Sequence, residues 1–321
     1  GGSPVWVVPY RVEDNDVTWF VTLESGASVL VSPSGEVSAT ESRLNGEPPE
    51  IRVGESVPQV VSAYDDLSLF PDALPDSRVV FDGDLAVALV DPTDQYDHAI
   101  LGDRFEAKAF EVLNRCTGER TRTTVASEDV IEGISPMLAD VDGDGVRDVL
   151  VTISNDAVGA RLSAYRIDGS LLAESEAIGS GGRWRNQLAV APVGPDEQVE
   201  IVDVWQPHAN GILEFLRYSN GSLVRVAETA GFTNHVTRTQ NVDKGIVADA
   251  DGDGRLDVVV LTLGLTEVGV LTRAGDEVET IALLPLDAIA TTNIAATELA
   301  SGSIAFAIGT EDGRLRVWGG S

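Results

Sequence analysis

Two nine-residue stretches constrain this chain more than any other feature. They are Asp140-Val-Asp-Gly-Asp-Gly-Val-Arg-Asp148 and Asp249-Ala-Asp-Gly-Asp-Gly-Arg-Leu-Asp257. Each places carboxylates at positions 1, 3, 5 and 9, with glycine at 4 and 6. Each runs directly into a β-type run, Val149-Leu-Val-Thr-Ile153 and Val258-Val-Val-Leu-Thr262. Glycine supplies the positive φ that a sharp corner needs, and the β-branched run that follows suits a strand. Both stretches therefore read as acidic corners that feed strands, not as loops between helices.

Four carboxylates in one turn repel one another unless a cation lies among them. All-oxygen donors suit a hard dication, and Ca²⁺ tolerates irregular geometry better than Mg²⁺. The expected ligands in the first corner are Asp140, Asp142, Asp144, the Val146 carbonyl and Asp148. In the second they are Asp249, Asp251, Asp253, the Arg255 carbonyl and Asp257. The competing reading is a pair of solvated Asp-Gly turns. The repeat of one spacing, each time ahead of an apolar strand, favours two Ca²⁺ sites of structural role.

From Ala139 to Val151 and from Ala248 to Val260 the chain resembles the calcium loop of the FG-GAP/VCBS repeat, the unit of integrin-α-like β-propellers. The resemblance covers about 13 residues per copy. It implies a propeller with Ca²⁺ in corners between blade strands, and an extracellular, cell-surface or periplasmic setting. It carries no substrate and no reaction.

The corners begin 109 residues apart, from 140 to 249. That is too long for one propeller blade and fits two of about 54. A degenerate copy is expected midway, and Leu188 to Asp203 has the order strand, acidic turn, strand. One period earlier, Leu85 to Leu101 carries Asp91, Asp94 and Asp97 in a shorter turn without glycine. One period later, Ile294 to Ile308 turns without a carboxylate cage. Asp168-Gly169, Asn220-Gly221 and Gly275-Asp276 separate alternating runs, which is a hairpin signal. No segment holds an apolar period of 3.6, so almost no helix is expected.

The fold class is thus all-β, a single propeller over 1–321 with six blades of about four antiparallel strands. The units fall near 5–44, 78–126, 134–180, 186–235, 243–288 and 292–319. The last shows three strands, so the N-terminal segment is expected to complete it. Residues 45–77, polar and Pro-rich, read as an excursion between blades; seven blades result if they fold as one.

A formal net charge of −30 opposes binding to nucleic acid, which needs Lys and Arg on phosphates. Lysine stands only at Lys108 and Lys244. Cys116 is the one cysteine, so an intrachain disulfide and a thiolate metal cluster are excluded. No apolar run is long enough to insert in a membrane as a helix. The chain opens Gly1-Gly-Ser3, which reads as an end left by processing or cloning.

No nucleophile–base motif, HExxH, P-loop or dinucleotide fingerprint is present, so no catalytic residue is assigned. A ligand pocket is a weaker candidate, drawn from Trp184, Arg185, Trp205, His208, His235 and Arg238, with His98 nearby. The competing reading is that each satisfies its own loop. The reading that results is a secreted, calcium-stabilised binding module whose partner is another protein or an assembly. The alternatives are a glycan-binding propeller, a polysaccharide-active enzyme, and an accessory subunit on the outer face of a membrane complex.

Overall fold

The structure is a computed structural model that describes residues 2–13, 16–44, 47–53 and 58–319. Gly1 and the part of the Pro-rich excursion at 45–46 and 54–57 fall outside the described residues. The chain divides into two compact units, residues 1–65, 241–273 and 279–321 in one, and 66–240 with 274–278 in the other.

The first unit opens with an antiparallel meander of β1 (Pro4–Glu13), β2 (Asp16–Leu23), β3 (Ala27–Val31) and β4 (Val37–Arg43). The expected N-terminal strands are all there. A separate hairpin follows, β5 (Pro49–Val53) with β6 (Pro58–Ser62), then a 3₁₀ turn at Asp65–Leu69. The 45–77 excursion thus contributes two strands among its described residues.

The second unit holds three four-stranded antiparallel meanders. The first is β7 (Val80–Asp82), β8 (Leu85–Thr93), β9 (Glu106–Asn114) and β10 (Arg120–Thr124). A two-residue strand, β11 (Val130–Ile131), leads to the next: β12 (Met137–Ala139), β13 (Asp148–Ser154), β14 (Arg161–Arg166) and β15 (Leu171–Ser175). The third is β16 (Arg185–Ala191), β17 (Glu200–Trp205), β18 (Ile212–Ser219) and β19 (Ser222–Ala230), followed by the short β20 (Phe232–Thr233). β11 pairs with β9 and β13, and β15 runs parallel to β19, so the three meanders join in one sheet.

The chain then returns to the first unit with β21 (Gly245–Ala248), β22 (Asp257–Thr262), β23 (Glu267–Ala274) and β24 (Glu277–Pro285). A three-stranded meander ends it, β25 (Ala295–Glu298), β26 (Ile304–Gly309) and β27 (Leu315–Trp318). The fold is all-β, as the repeat predicts. The described helical content is two 3₁₀ turns, and no helix among the described residues is long and apolar enough to cross a membrane.

Burial explains the apolar runs that follow the corners. Every residue of β13 is buried. Val149, Val151 and Ile153 pack with Val87, Phe110 and Ile131, while Leu150 on the other face packs with Leu162, Ile201 and Leu216. A strand covered on both faces reads as a continuous apolar run because neither face meets water. Each such side chain contributes roughly 1.5–3 kcal/mol. β22 repeats the pattern, with Val259 and Leu261 against Ile294, Phe306 and Ile308.

Two expectations are corrected. The N-terminal segment does not complete the last meander as a strand. β1 belongs to its own four-stranded sheet, and Val7, Val17 and Trp19 share one apolar cluster with Ala295, Leu299 and Ala305. The copy at 85–101 is also displaced by one strand. β8 runs through Asp91 to Thr93, with Asp91 at φ 64°, so the acidic stretch begins in the last residues of β8 and continues past it to Asp97. The corner that corresponds to 140–148 is the tight turn at Gly83-Asp84 between β7 and β8.

Candidate functional site

The two acidic corners join β12 to β13 and β21 to β22, and their internal hydrogen bonds are the same. In the first corner Asp140 Oδ1 accepts from Gly143 N at 2.8 Å and Oδ2 from Gly145 N at 2.9 Å. Asp142 Oδ1 accepts from Asp144 N, Asp144 Oδ1 from Val146 N, and Asp148 Oδ2 from Val141 N at 3.0 Å. In the second, Asp249 takes Gly252 N at 2.8 Å and Gly254 N at 3.0 Å. Asp251 takes Asp253 N, Asp253 takes Arg255 N, and Asp257 takes Ala250 N at 3.1 Å. The glycines carry the strain-free positive φ this path needs: 78° and 85° at Gly143 and Gly145, 82° and 89° at Gly252 and Gly254.

Asp140, Asp142 and Asp148 bring oxygens within 4.8 Å of one another, and Asp249, Asp251 and Asp257 do the same. Asp144 and Asp253 stand outside these trios. Val146 and Arg255 enter the hydrogen-bond pattern through their N–H groups, as donors to Asp144 and Asp253. Asp148 is fully buried, and its Oδ1 has no hydrogen-bond partner. Burial, with Asp142 and Asp144 adding repulsion, pushes its carboxyl up to about 6 against the Val141 N–H and Arg166. Burial also raises Asp257, with Asp251 and Asp253 adding to it. A buried carboxylate oxygen left without a donor beside two more carboxylates is costly alone and suited to a hard cation. The residues present fit such an ion.

The six candidates for a ligand pocket separate into three places. Trp184, His208 and His235 come together. The Trp184 ring stacks on His208 with centroids 6.1 Å apart at 4°, and meets His235 edge-on at 5.0 Å. His235 Nε2 lies 2.6 Å from the Thr239 carbonyl, which can only accept, so Nε2 carries a proton. His208 Nε2 lies 2.7 Å from His235 Nδ1, so one proton is shared between the two rings at that contact. His208 is exposed as a residue, yet its ring is walled by Trp184. Desolvation, then the charge of His98, lowers its pKa to about 4.

Beside this group lies a set of acids that sequence reasoning missed. His98 Nδ1 contacts Glu132 Oε1, and Ser154 Oγ donates to Glu132 Oε2. Trp184 Nε1 donates to the Glu132 carbonyl at 3.2 Å. The bond to Glu132 raises His98 above its ordinary value, against burial. Glu106 is buried and held well above the carboxylate range by desolvation and by Glu132. Asp103, whose carboxylate oxygens are buried without partners, is raised to about 6 by burial and then by Asp76. His98, Asp103 and Glu106 lie on or next to the β8–β9 connection, and Glu132 and Ser154 reach them from distant segments, so no single local motif marks the group.

Arg185 and Trp205 lie elsewhere, opposite each other on β16 and β17. Arg185 is 1% exposed and forks onto Asp203 at 2.8 and 2.9 Å, with Glu214 at 2.7 Å and Ser175 at 3.0 Å. Its role in the fold is to tie strands. Both residues line a cleft of about 820 Å³ with Arg183, Glu174 and Arg225. Arg238 is exposed; its backbone N donates to Ile100 O at 2.8 Å and its φ is 62°.

No family model matches the chain, and no curated protein matches it by sequence. Solved structures do match in fold. A crystal structure of BBS1N in complex with ARL6DN is 11% identical, covers 99% of this chain and 92% of that chain, and gives a TM-score of 0.53. The structure of the Dos1 propeller is 11% identical over 94% of this chain and 64% of that one, with a TM-score of 0.46. The N-terminal domain of Nup159 is 11% identical over 97% and 75%, with a TM-score of 0.41. At these identities the likeness extends to the fold alone, an all-β architecture of propeller type.

Proposed function

We propose that the protein is a calcium-stabilised β-propeller binding module of FG-GAP/VCBS type that acts outside the cytoplasm and engages another protein. The observation that carries the reading is Asp148, fully buried with Oδ1 unpartnered beside Asp140 and Asp142. Asp249, Asp251 and Asp257 repeat the carboxylate trio, with Thr272 hydrogen-bonded to Asp257. A Ca²⁺ ion held by each trio offsets two of the corner's negative charges and fixes the entry into β13 or β22. Extracellular calcium is concentrated enough to fill sites of modest affinity. The net charge of −30 turns the surface away from nucleic acid, so a protein is the partner class that fits. BBS1N, similar in fold, was crystallised with a protein partner.

Thermal melting tests the reading. Calcium at 100 times its dissociation constant stabilises by about 2.7 kcal/mol per site through linkage. The parent chain melts higher in calcium than in chelator. The double variant Asp142→Asn, Asp251→Asn loses most of that difference. A parent chain that melts identically in both conditions rules the reading out.

A further inference from the structure

The two corners match in sequence spacing and in internal hydrogen bonds, but not in what lies over them. Arg166 ends β14 opposite Asp148 on β13. Its Nη1 lies 2.8 Å from Asp144 Oδ2 and its Nη2 2.8 Å from Asp142 Oδ2. Both oxygens of Asp142 are therefore engaged, Oδ1 by Asp144 N and Oδ2 by the guanidinium. At the second corner the register Val258↔Leu271 places Thr272 opposite Asp257, where Arg166 stands in the first. Thr272 hydrogen-bonds to Asp257 and carries no charge. Among the described residues no Lys or Arg forms an ion pair with Asp251 or Asp253. The corner's own Arg255 points to the Arg273 carbonyl at 2.6 Å.

We infer that Arg166 is an internal competitor for the dication at the first corner, so that the two corners have different calcium affinities and the second fills first. This rests on the calcium reading above. Arg166 offers the first corner a charge partner that the second lacks. A dication that draws on Asp142 must displace this guanidinium or sit beside it, and the two like charges repel. The unpartnered Asp148 Oδ1, buried beneath the same corner, shows that the guanidinium does not satisfy the whole donor set. The first corner thus has two states, one closed by arginine and one that holds a metal. Calcium concentration selects between them, while the second corner stays loaded.

Calcium titration calorimetry on the full chain, stripped with chelator, tests this. Asp251→Asn leaves the first corner as the working site, and Asp142→Asn leaves the second. The second corner binds more tightly, and Arg166→Thr in the Asp251→Asn background tightens the first on the order of tenfold, the worth of two partly exposed ion pairs. Thr272→Arg in the Asp142→Asn background weakens the second by a similar factor, an independent measurement should Arg166→Thr disturb β14. Equal affinities in the two single variants, or no response to both Arg166→Thr and Thr272→Arg, overturn the inference and leave the calcium reading standing. A parent chain that binds no calcium at millimolar concentration overturns both.

Discussion

At the scale of single residues, two kinds of titratable group stand out, and they behave oppositely. His98 gains Glu132 and is raised, so the stability it confers is present in full below its unfolded value and is lost as pH rises through the folded value. His208 is lowered to about 4, so stability falls as pH drops from the unfolded value near 6.5 toward 4. The imidazoles are coupled, since the charge on His98 is one cause of the His208 shift. Histidine NMR titration of His98→Gln should show the His208 midpoint moved upward. It should not reach the unperturbed value, because desolvation by the Trp184 wall is the larger cause. An unmoved midpoint would show that the two rings do not communicate. The acidic corners could be read residue by residue, because their carboxylates all lie within nine positions. Arg166 was not singled out, because its place opposite Asp148 is set by the pairing of β13 with β14, while the Asp168-Gly169 turn fixes only β14 against β15.

At the scale of strands, Arg185 shows how a charge can serve the sheet. It lies on β16 and reaches Asp203 on β17 and Glu214 on β18, so one guanidinium joins three strands of a meander. Asp203 is fully buried, and desolvation drives its carboxyl up while Arg185 pulls it down. Arg185→Met should cost about 3–5 kcal/mol in denaturant unfolding, because it leaves the buried Asp203 carboxylate without its guanidinium while Glu214 keeps only Arg225. The loss should be greater at pH 8 than at pH 5, since the orphaned carboxyl binds a proton more tightly in the folded state. A cost within experimental error of zero would show the cluster to be solvated. The run Arg183-Trp-Arg-Asn-Gln187 marks Arg185 as a pocket residue in sequence. Sequence marks a charge in a loop-like run but not the acids that strand pairing carries to it. The strands themselves were readable because their turns were: Asp168-Gly169 and Asn220-Gly221 sit at the hairpin ends of β14–β15 and β18–β19. The 85–101 copy misled for a physical reason. Its corner had shrunk to Gly83-Asp84, and the acids at 91–97 filled the place where the period alone put it.

At the scale of the molecule, the spacing of two acidic corners was enough to anticipate an all-β repeat, because strands of fixed length between fixed turns leave few alternatives. The buried acids around Glu132 were not legible at any scale of sequence, since β8, β9, β11 and β13 meet through pairings that have no local signature. The charge of −30 bears on partners and solubility more than on the fold, and two bound dications would reduce it only modestly. What gives the account its particular content is the claim that dications occupy both corners. Crystals grown in calcium measure that most directly. The account predicts a density peak at each corner with oxygen ligands at about 2.3–2.6 Å from Asp140, Asp142 and Asp148, and from Asp249, Asp251 and Asp257. Well-ordered corners that hold only water at saturating calcium would contradict it.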